Sequence, residues 1–307
     1  MFRQEILQKY QVRKSKAQKA AFEAYLKDLL QQDGISLEPM IFGALKSRNL
    51  VVGDVTQAKA IFTAHYDTPA GMPIPNFITP CNFLIYLLYQ IALTLVLFVI
   101  AGAAGAVFGI LGFWPGYLAW LGTLGLLFGL MIFGPANKHT ANDNTSGVLA
   151  LIKLIKEMPK EVRDQCAFVF FDHEEAGLLG SSGLANKYKN ELKNTPVINM
   201  DCVGEGKNVM FVYGKKACGD VIPLLEELKA CGEYHVVLKT TGQAFYPSDQ
   251  MNFKKGIGVA TLKRVKVLGY YMDKIHTKKD TVCDMGNIDC LCSLMLQLAE
   301  GLTKQPQ

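Results

Sequence analysis

Apolar positions along the chain fall into three kinds of pattern. In "AQKAAFEAYLKDLL", Phe22, Leu26 and Leu29 recur at helical spacing, which predicts a helix over residues 15–31. "LVVGDV" and "AKAIFTAH" are short runs of strand length, and the second delivers His65 at its end. "CAFVFFD", "PVINMD" and "NVMFVYG" are continuous apolar runs, as expected of strands covered on both faces. "NTSGVLALIKLIKEM" returns to helical spacing, with Asn144 or Thr145 as its N-cap. "DVIPLLEELKAC" reads as a helix, and "SDQMNFKKG" as a short one opened by Ser248 or Asp249 ahead of the strand "IGVATLKRV". Residues 285–303 close the chain as a helix. Strands alternating with helices predict an α/β fold, a mixed central sheet flanked by helices.

The third pattern is different. From Thr68 to Asn137 there is no Asp, Glu, Lys, Arg or His. "NFLIYLLYQIALTLVLFVIAGAAGAVFGILG" exceeds the roughly 20 residues that cross a bilayer. "FWPG" breaks the run, and "YLAWLGTLGLLFGLMIFG" supplies a second span. A hairpin buried in a soluble core would need apolar partners on every side of both runs. Gly102, Gly105, Gly109 and Gly112 would let two membrane helices approach closely, and Trp114, Tyr117 and Trp120 cluster where an interfacial aromatic belt would lie.

Composition sharpens this division. Half of the 307 residues are hydrophobic and only 19% are charged, below the usual quarter, and the deficit lies in that one block. The net charge of +5, with no basic stripe and no glycine-rich phosphate loop, gives no nucleic-acid footprint. The basic run "RQEILQKYQVRKSKAQKA" reads equally as a solvated helix face or as an attraction to anionic lipid. Eight cysteines without a CxxC pair, behind an N-terminus that lacks a signal-peptide core, are expected to be mostly reduced thiols facing the cytosol.

Acidic and histidine residues follow the predicted strands. His65 and Asp67 follow the first, Asp143 opens a helix, Glu174 and Glu175 follow "CAFVFFDH", Asp201 ends "PVINMD", and His276 sits in "KIHTKKDT". In α/β folds, sites lie beyond the carboxyl ends of strands. Four carboxylates in one crevice could not all ionise without cations, and two divalent ions would roughly balance them. Oxygen and imidazole donors without Cys suit a catalytic zinc site. His173 beside Glu174 hints at HExxH, but position 177 is Gly and the motif is absent. His139 reads as a polar flank of the apolar block and His235 as surface or core. For Tyr246, Ser248 and Asp249, substrate contact and helix capping stand level.

The segments "TAHYDT", "ANDNTSGV", "FVFFDHEEAGLLGS", "VINMDCVG", "YPSDQMNFKKGIGVATL" and "HTKKDT", in this order, resemble the dinuclear zinc aminopeptidases of the aminopeptidase S and aminopeptidase Y type. Glutamate carboxypeptidases and glutaminyl cyclases share that fold. The resemblance covers residue 50 to the end, with the apolar block as an insertion. It implies two zinc ions per chain, bridged by Asp143, with His65 and Asp201 completing one site and Glu175 and His276 the other. Glu174 would be the general base, and Asp67 would orient the His65 ring. The implied substrate is a peptide with a free N-terminus.

If His65 and Asp143 hold one metal, the two ends of the apolar block must meet, so it crosses the membrane an even number of times. The expected organisation is an N-terminal helical segment (1–48), a catalytic domain (49–79 and 135–307) and a transmembrane hairpin (80–134) that meets the lipid bilayer. Lys and Arg near its ends place the catalytic domain on the cytoplasmic side of the cell membrane. The competing readings are a single-zinc glutaminyl cyclase-like acyltransferase, a carboxypeptidase, and a non-catalytic membrane scaffold with a relict site. The oligomeric state is not specified by the sequence.

Overall fold

A computed structural model describes residues 2–304. Two helices open the chain, α1 (Phe2–Lys9) and α2 (Lys16–Gln31), the second begun by a capping box between Ser15 and Gln18. The strands β1 (Glu38–Phe42), β2 (Ser47–Val52) and β3 (Ala60–His65) follow, and then the long helices α3 (Phe83–Gly109) and α4 (Phe113–Phe133). An irregular turn, Ala141–Ser146, leads into α5 (Gly147–Glu157). The chain continues through α6 (Lys160–Arg163), β4 (Cys166–Phe171), α7 (Leu179–Lys187), β5 (Val197–Met200), β6 (Asn208–Tyr213) and α8 (Ile222–Glu227). It ends with β7 (His235–Thr240), a 3-10 turn at Asp249–Asn252, β8 (Gly256–Val265), β9 (Gly269–Tyr271) and α9 (Met285–Lys304).

The strands form one mixed sheet in the order β1-β2-β4-β3-β5-β8-β6-β7, with β9 on β8. At its centre β4, β3, β5 and β8 run parallel, while β2 and β6 pair antiparallel with their neighbours β4 and β8. Side chains of the central strands alternate between two cores. Phe62, Phe168 and Phe170 face one with α2, α5 and α9, while Ile61, Val169 and Phe171 face the other with α7. Burial on both faces is why those runs are continuously apolar. Ile6, Phe22, Leu26 and Leu30 from the first two helices lie in the larger core.

Several expected boundaries change. β1 contains Pro39 and β7 is exposed at His235 and only half-buried along the rest, so neither shows the continuous apolar signal of a central strand; both lie at sheet edges. β2 stops before Gly53, where φ is +82° and a side chain would meet the Cys166 carbonyl at 2.7 Å. The helix expected over "DVIPLLEELKAC" is confined to α8, because the chain turns extended at Leu228. α5 begins at Gly147 rather than at Asn144 or Thr145, although the Asn144 side chain does accept from the Gly147 N–H at 3.0 Å.

α3 and α4 are long and apolar enough to cross a membrane, and only 6% and 11% of their most apolar windows are buried in the fold. They are therefore not core helices of the sheet domain. Their stem is a short ladder, with Gly71 N–H donating to the Pro135 carbonyl at 2.8 Å and Asn137 N–H to that of Pro69 at 2.9 Å. Of the glycines expected at their interface, Gly105 serves, since a side chain there would meet Trp120 and Gly116 of α4; Gly109 approaches Gly116 through its Cα, but its own side-chain direction is open. Gly102 faces open space, and Gly112 adopts φ +126° in the turn. A methyl group on Gly116 would sit 2.8 Å from the Gly109 Cα, whereas Gly122 has nothing within 4 Å. Gly116→Ala should therefore destabilise the helix pair by about 1–3 kcal/mol, as overpacking does, and Gly122→Ala should not. Thermal unfolding of both variants in one detergent checks this, and equal melting temperatures would refute the packing.

Candidate metal centre

The parallel strands β4, β3 and β5 lie side by side, so their carboxyl ends deliver Glu174 and Glu175, His65 and Asp67, and Asp201 to one crevice. The turn before α5 adds Asp143, and the loop after β9 adds His276. The two oxygens of Asp143 face different imidazoles. Oδ1 lies 3.3 Å from His65 Nε2, and Oδ2 lies 3.0 Å from His276 Nε2. Asp201 Oδ1 is 3.5 Å from His65 Nε2, and Glu175 Oε2 is 3.5 Å from His276 Nε2. Two three-residue groups result, His65–Asp143–Asp201 and Asp143–Glu175–His276; His65, Glu174 and Glu175 form a third within the same reach. All the site residues expected from the sequence thus meet here.

These donors fit zinc. Ligand bonds of about 2.0–2.2 Å in a tetrahedron put donor atoms roughly 3.3–3.6 Å apart, and the observed separations fall at or just below that. Glu175 Oε1 and Asp201 Oδ1 are buried without a hydrogen-bond partner among the described residues, a costly state for uncompensated polar atoms, and His65 Nδ1, on the ring edge away from the cluster, faces Asp67 at 3.5 Å.

The surrounding hydrogen bonds hold the crevice together. Asp67 accepts the backbone N–H of Glu174 at 3.0 Å and of Glu175 at 3.3 Å, tying the ends of β3 and β4, and its Oδ1 lies 3.5 Å from His65 Nδ1. Asp280 accepts the N–H groups of Asn142 at 2.7 Å and Asp143 at 3.0 Å. Asn142, Asn144 and Ser146 accept from the backbone N–H groups of Gly204, Cys202 and Val203, so the segments bearing Asp143 and Asp201 are stitched together. The Asp143–Asn144 peptide is cis.

Arg13 corrects the reading of the N-terminal run as a solvated face or a lipid contact, at least for its own position. It is fully buried, and its guanidinium donates to the carbonyls of Tyr66 and Tyr10 at 2.5 Å and to Thr145 Oγ1 at 3.2 Å. Burial lowers its pKa to about 10, with Asp67 opposing that shift. Nothing in the sequence separates Arg13 from its charged neighbours. Asp280 stood in the quoted "HTKKDT", and its position just after His276 was the available signal.

Tyr246 lines the crevice and donates to the Asp201 carbonyl at 3.1 Å. Ser248 makes no capping bond; its hydroxyl lies 3.4 Å from Glu174 Oε1 and accepts from Asn199. Asp249 is buried, accepting from the Ser181 hydroxyl at 2.5 Å. His173 turns away, its Nδ1 2.9 Å from Ser47 Oγ, and His139 and His235 are exposed.

Charge crowding sets the protonation behaviour. Burial raises the Glu174 and Glu175 carboxyls well above their usual range, and neighbouring carboxylates reinforce this against the pull of His65. Burial and the same neighbours push Asp249 and Asp280 up to about 7. Asp143 is held well below the usual range because His276 and His65 outweigh its burial. Burial opposes a charged His65, yet Glu174, Asp143, Asp201 and Asp67 hold its pKa well above the ordinary imidazole value.

Groups with raised folded pKa favour the fold while protonated and lose that contribution as pH rises through the folded value. Glu174, Glu175, Asp249, Asp280, His65 and His276 all have this sign, while Asp67 and Asp143 act oppositely, at the acid end. Metal-stripped protein should therefore melt at a lower temperature at about pH 8 than at about pH 5, and zinc should restore the alkaline loss. Calorimetry on chelated and zinc-loaded samples reads this, and a metal-free melting temperature that rises with pH would contradict it.

The model of peptidase family M28 matches residues 127–306. No curated protein matches the chain in sequence. Among solved structures, the LapA aminopeptidase of Legionella pneumophila superposes with a TM-score of 0.60 at 13% identity, covering 99% of this chain and 70% of that one. A Zn-dependent exopeptidase from Parabacteroides distasonis gives 0.55 at 15%, covering 99% and 96%. The Porphyromonas gingivalis glutaminyl cyclase gives 0.55 at 16%, covering 98% and 96%. At such identities these likenesses establish the fold. The chain whose strand ends gather these acids and imidazoles belongs to peptidase family M28.

Proposed function

We propose that this protein is a membrane-anchored aminopeptidase that uses two zinc ions. The observation that carries this is Asp143, which offers one oxygen to each of two imidazoles. In this reading His65, Asp143 and Asp201 hold one ion, and Asp143, Glu175 and His276 hold the other. Zinc at these positions would polarise the scissile carbonyl and acidify a water. Glu174 is the general base. Its raised pKa suits a group that takes the proton of the attacking water and passes it to the leaving amine. The Ser248 hydroxyl lies 3.4 Å from its Oε1, and Asp67, whose Oδ1 faces His65 Nδ1 at 3.5 Å, would orient the His65 ring as that contact tightens on metal binding. The acidic lining favours the α-ammonium of a peptide with a free N-terminus. The cyclase-like alternative uses a single ion, and the second donor set around Glu175 and His276 supports hydrolysis over it.

The anchor is residues 80–134, inserted between the catalytic parts 49–79 and 135–307, while residues 1–48 contribute Arg13 and the core residues Ile6 and Phe22. Both ends of the insertion meet at one stem, so α3 and α4 enter and leave on the same side of the bilayer. Lys14, whose Nζ donates to the Ile132 carbonyl at the end of α4, and Lys138 lie at the base; the tip carries no charge. The positive-inside tendency then puts the catalytic domain in the cytoplasm of a cell whose membrane holds the hairpin.

Glu174→Gln should reduce peptide hydrolysis by roughly 10²–10⁴-fold while two zinc ions per chain remain. Turnover and metal analysis of one purified sample decide it; near-native turnover removes Glu174 from the role, and one ion per chain favours the cyclase reading.

Sidedness has its own check. In sealed cells Leu111→Cys, at the exposed tip, should react with an impermeant thiol reagent, whereas the exposed native Cys231 should react only after lysis. The reverse pattern would invert the orientation.

A further inference from the structure

The crevice and the hairpin share their walls. Residues 72–78 run beside 272–276, with Met72 N–H donating to the His276 carbonyl at 2.7 Å, Asn76 N–H to that of Ile275 at 3.3 Å, and Ile78 and Met272 exchanging bonds at 3.0 Å. Asn76, Ile78 and Ile275 therefore line the crevice together with the acids. The same segment is fastened to α3. Phe77 packs edge-on to Tyr89 at 5.4 Å, and the Tyr89 hydroxyl donates to the Pro75 carbonyl at 2.5 Å.

The opposite rim is fastened too. Phe245 N–H donates to the Pro80 carbonyl at 2.8 Å, and its half-exposed ring lies 6.0 Å from Phe83 and 5.7 Å from Tyr86, in the first turn of α3. The next residue, Tyr246, lines the crevice.

These contacts set a distance. Ile78 in the crevice wall and Phe83, the first residue of the apolar helix, are five positions apart. At no more than about 3.6 Å per residue, the wall lies within roughly 18 Å of where the span begins. The polar layer of a bilayer leaflet is itself several ångström deep, about 5–7 Å. Ile74 and Phe245 add exposed apolar side chains at this rim, away from the sheet's cores.

We infer that the crevice opens at the membrane surface and takes peptides that lie on or are anchored in that surface, in preference to peptides free in water. This rests on the aminopeptidase and membrane-hairpin reading above and adds the substrate class. A peptide held by an apolar stretch or an acyl chain presents its N-terminus at the height of the acids. Tethering then raises its effective concentration, most strongly when the tether just spans the gap. Ile78, Ile275 and Pro247 supply an apolar lining for the terminal side chain, beside carboxylates that attract its ammonium group.

The test uses the full-length zinc-loaded protein in nanodiscs of neutral phosphatidylcholine, where electrostatic attraction to lipid plays no part. The substrates share one N-terminal sequence and scissile bond. One is unanchored, and the others carry a C-terminal acyl chain behind polar spacers of increasing length. The shortest spacers that reach roughly 18 Å should give kcat/KM on the order of tenfold or more above the unanchored peptide, with the advantage declining as spacers lengthen. A fluorophore on Pro247→Cys, in a background with Cys81, Cys231 and Cys283 each replaced by Ser, should be quenched by headgroup-labelled lipid. Equal kcat/KM for anchored and free peptides, cleavage that requires only the longest spacers, or an unquenched fluorophore would each overturn the inference and leave the aminopeptidase reading standing. Hydrolysis of neither class overturns both.

Discussion

Like charge held close is the constraint around which this structure is arranged. Asp143, Glu174, Glu175 and Asp201 converge in a largely desolvated crevice, where mutual repulsion is poorly screened. A fold tolerates this only if each carboxylate is held by something other than its neighbours. Asp143 is gripped through the backbone by Asp280, and Glu174 and Glu175 through theirs by Asp67. Arg13 supplies a buried positive charge behind the cluster. Even so, one guanidinium and two imidazoles leave lone pairs orphaned, which is the electrostatic case for divalent cations.

That constraint also explains where rigidity is concentrated. The hydrogen bonds that stitch 142–146 to 202–204 are short-range in space but join segments far apart in sequence. They lie at the ends of parallel strands whose register is fixed by burial on both faces. The exposed edges β1 and β7 carry none of the clustered groups. Position within the sheet and participation in the site therefore coincide, as expected where chemistry needs donors fixed to a few tenths of an ångström.

The central strands and the clustered residues were legible because both leave strong one-dimensional signals. Continuous apolar runs such as "CAFVFF" identify buried strands, and an acid or histidine directly after each run stands out against them. Edge strands leave weaker marks: Pro39 interrupts one, and in "HVVLKT" a short apolar stretch is flanked by polar residues and is nowhere fully buried. Arg13 was illegible for a different reason. Its role comes from contacts with Tyr66 and Thr145, distant in sequence, and its neighbours Lys14 and Lys16 carry the same charge at the surface. Asp280 falls between these cases, visible as an acid near His276 but with its hydrogen bonds to the 142–143 backbone hidden until the chain folds. The glycine positions show the same limit, since spacing alone marked Gly102 and Gly105 alike and only geometry distinguishes them.

The stem between Pro69 and Asn137 has a consequence for how the molecule is made. His65 leaves the ribosome before the apolar block and Asp143 after it, so the two cannot meet until both helices have been synthesised. Were only one of the helices to cross the bilayer, the early and late parts of the catalytic domain would be stranded in different compartments, and the central sheet could not close, because β3 must pair with both β4 and β5. Under the proposed hairpin, completion of the sheet would act as a checkpoint on insertion of both helices. On the same reading, a chain with only one helix inserted would be left as an unfolded remnant open to quality-control proteases, whereas a hairpin inverted as a whole would keep both parts of the sheet on one side.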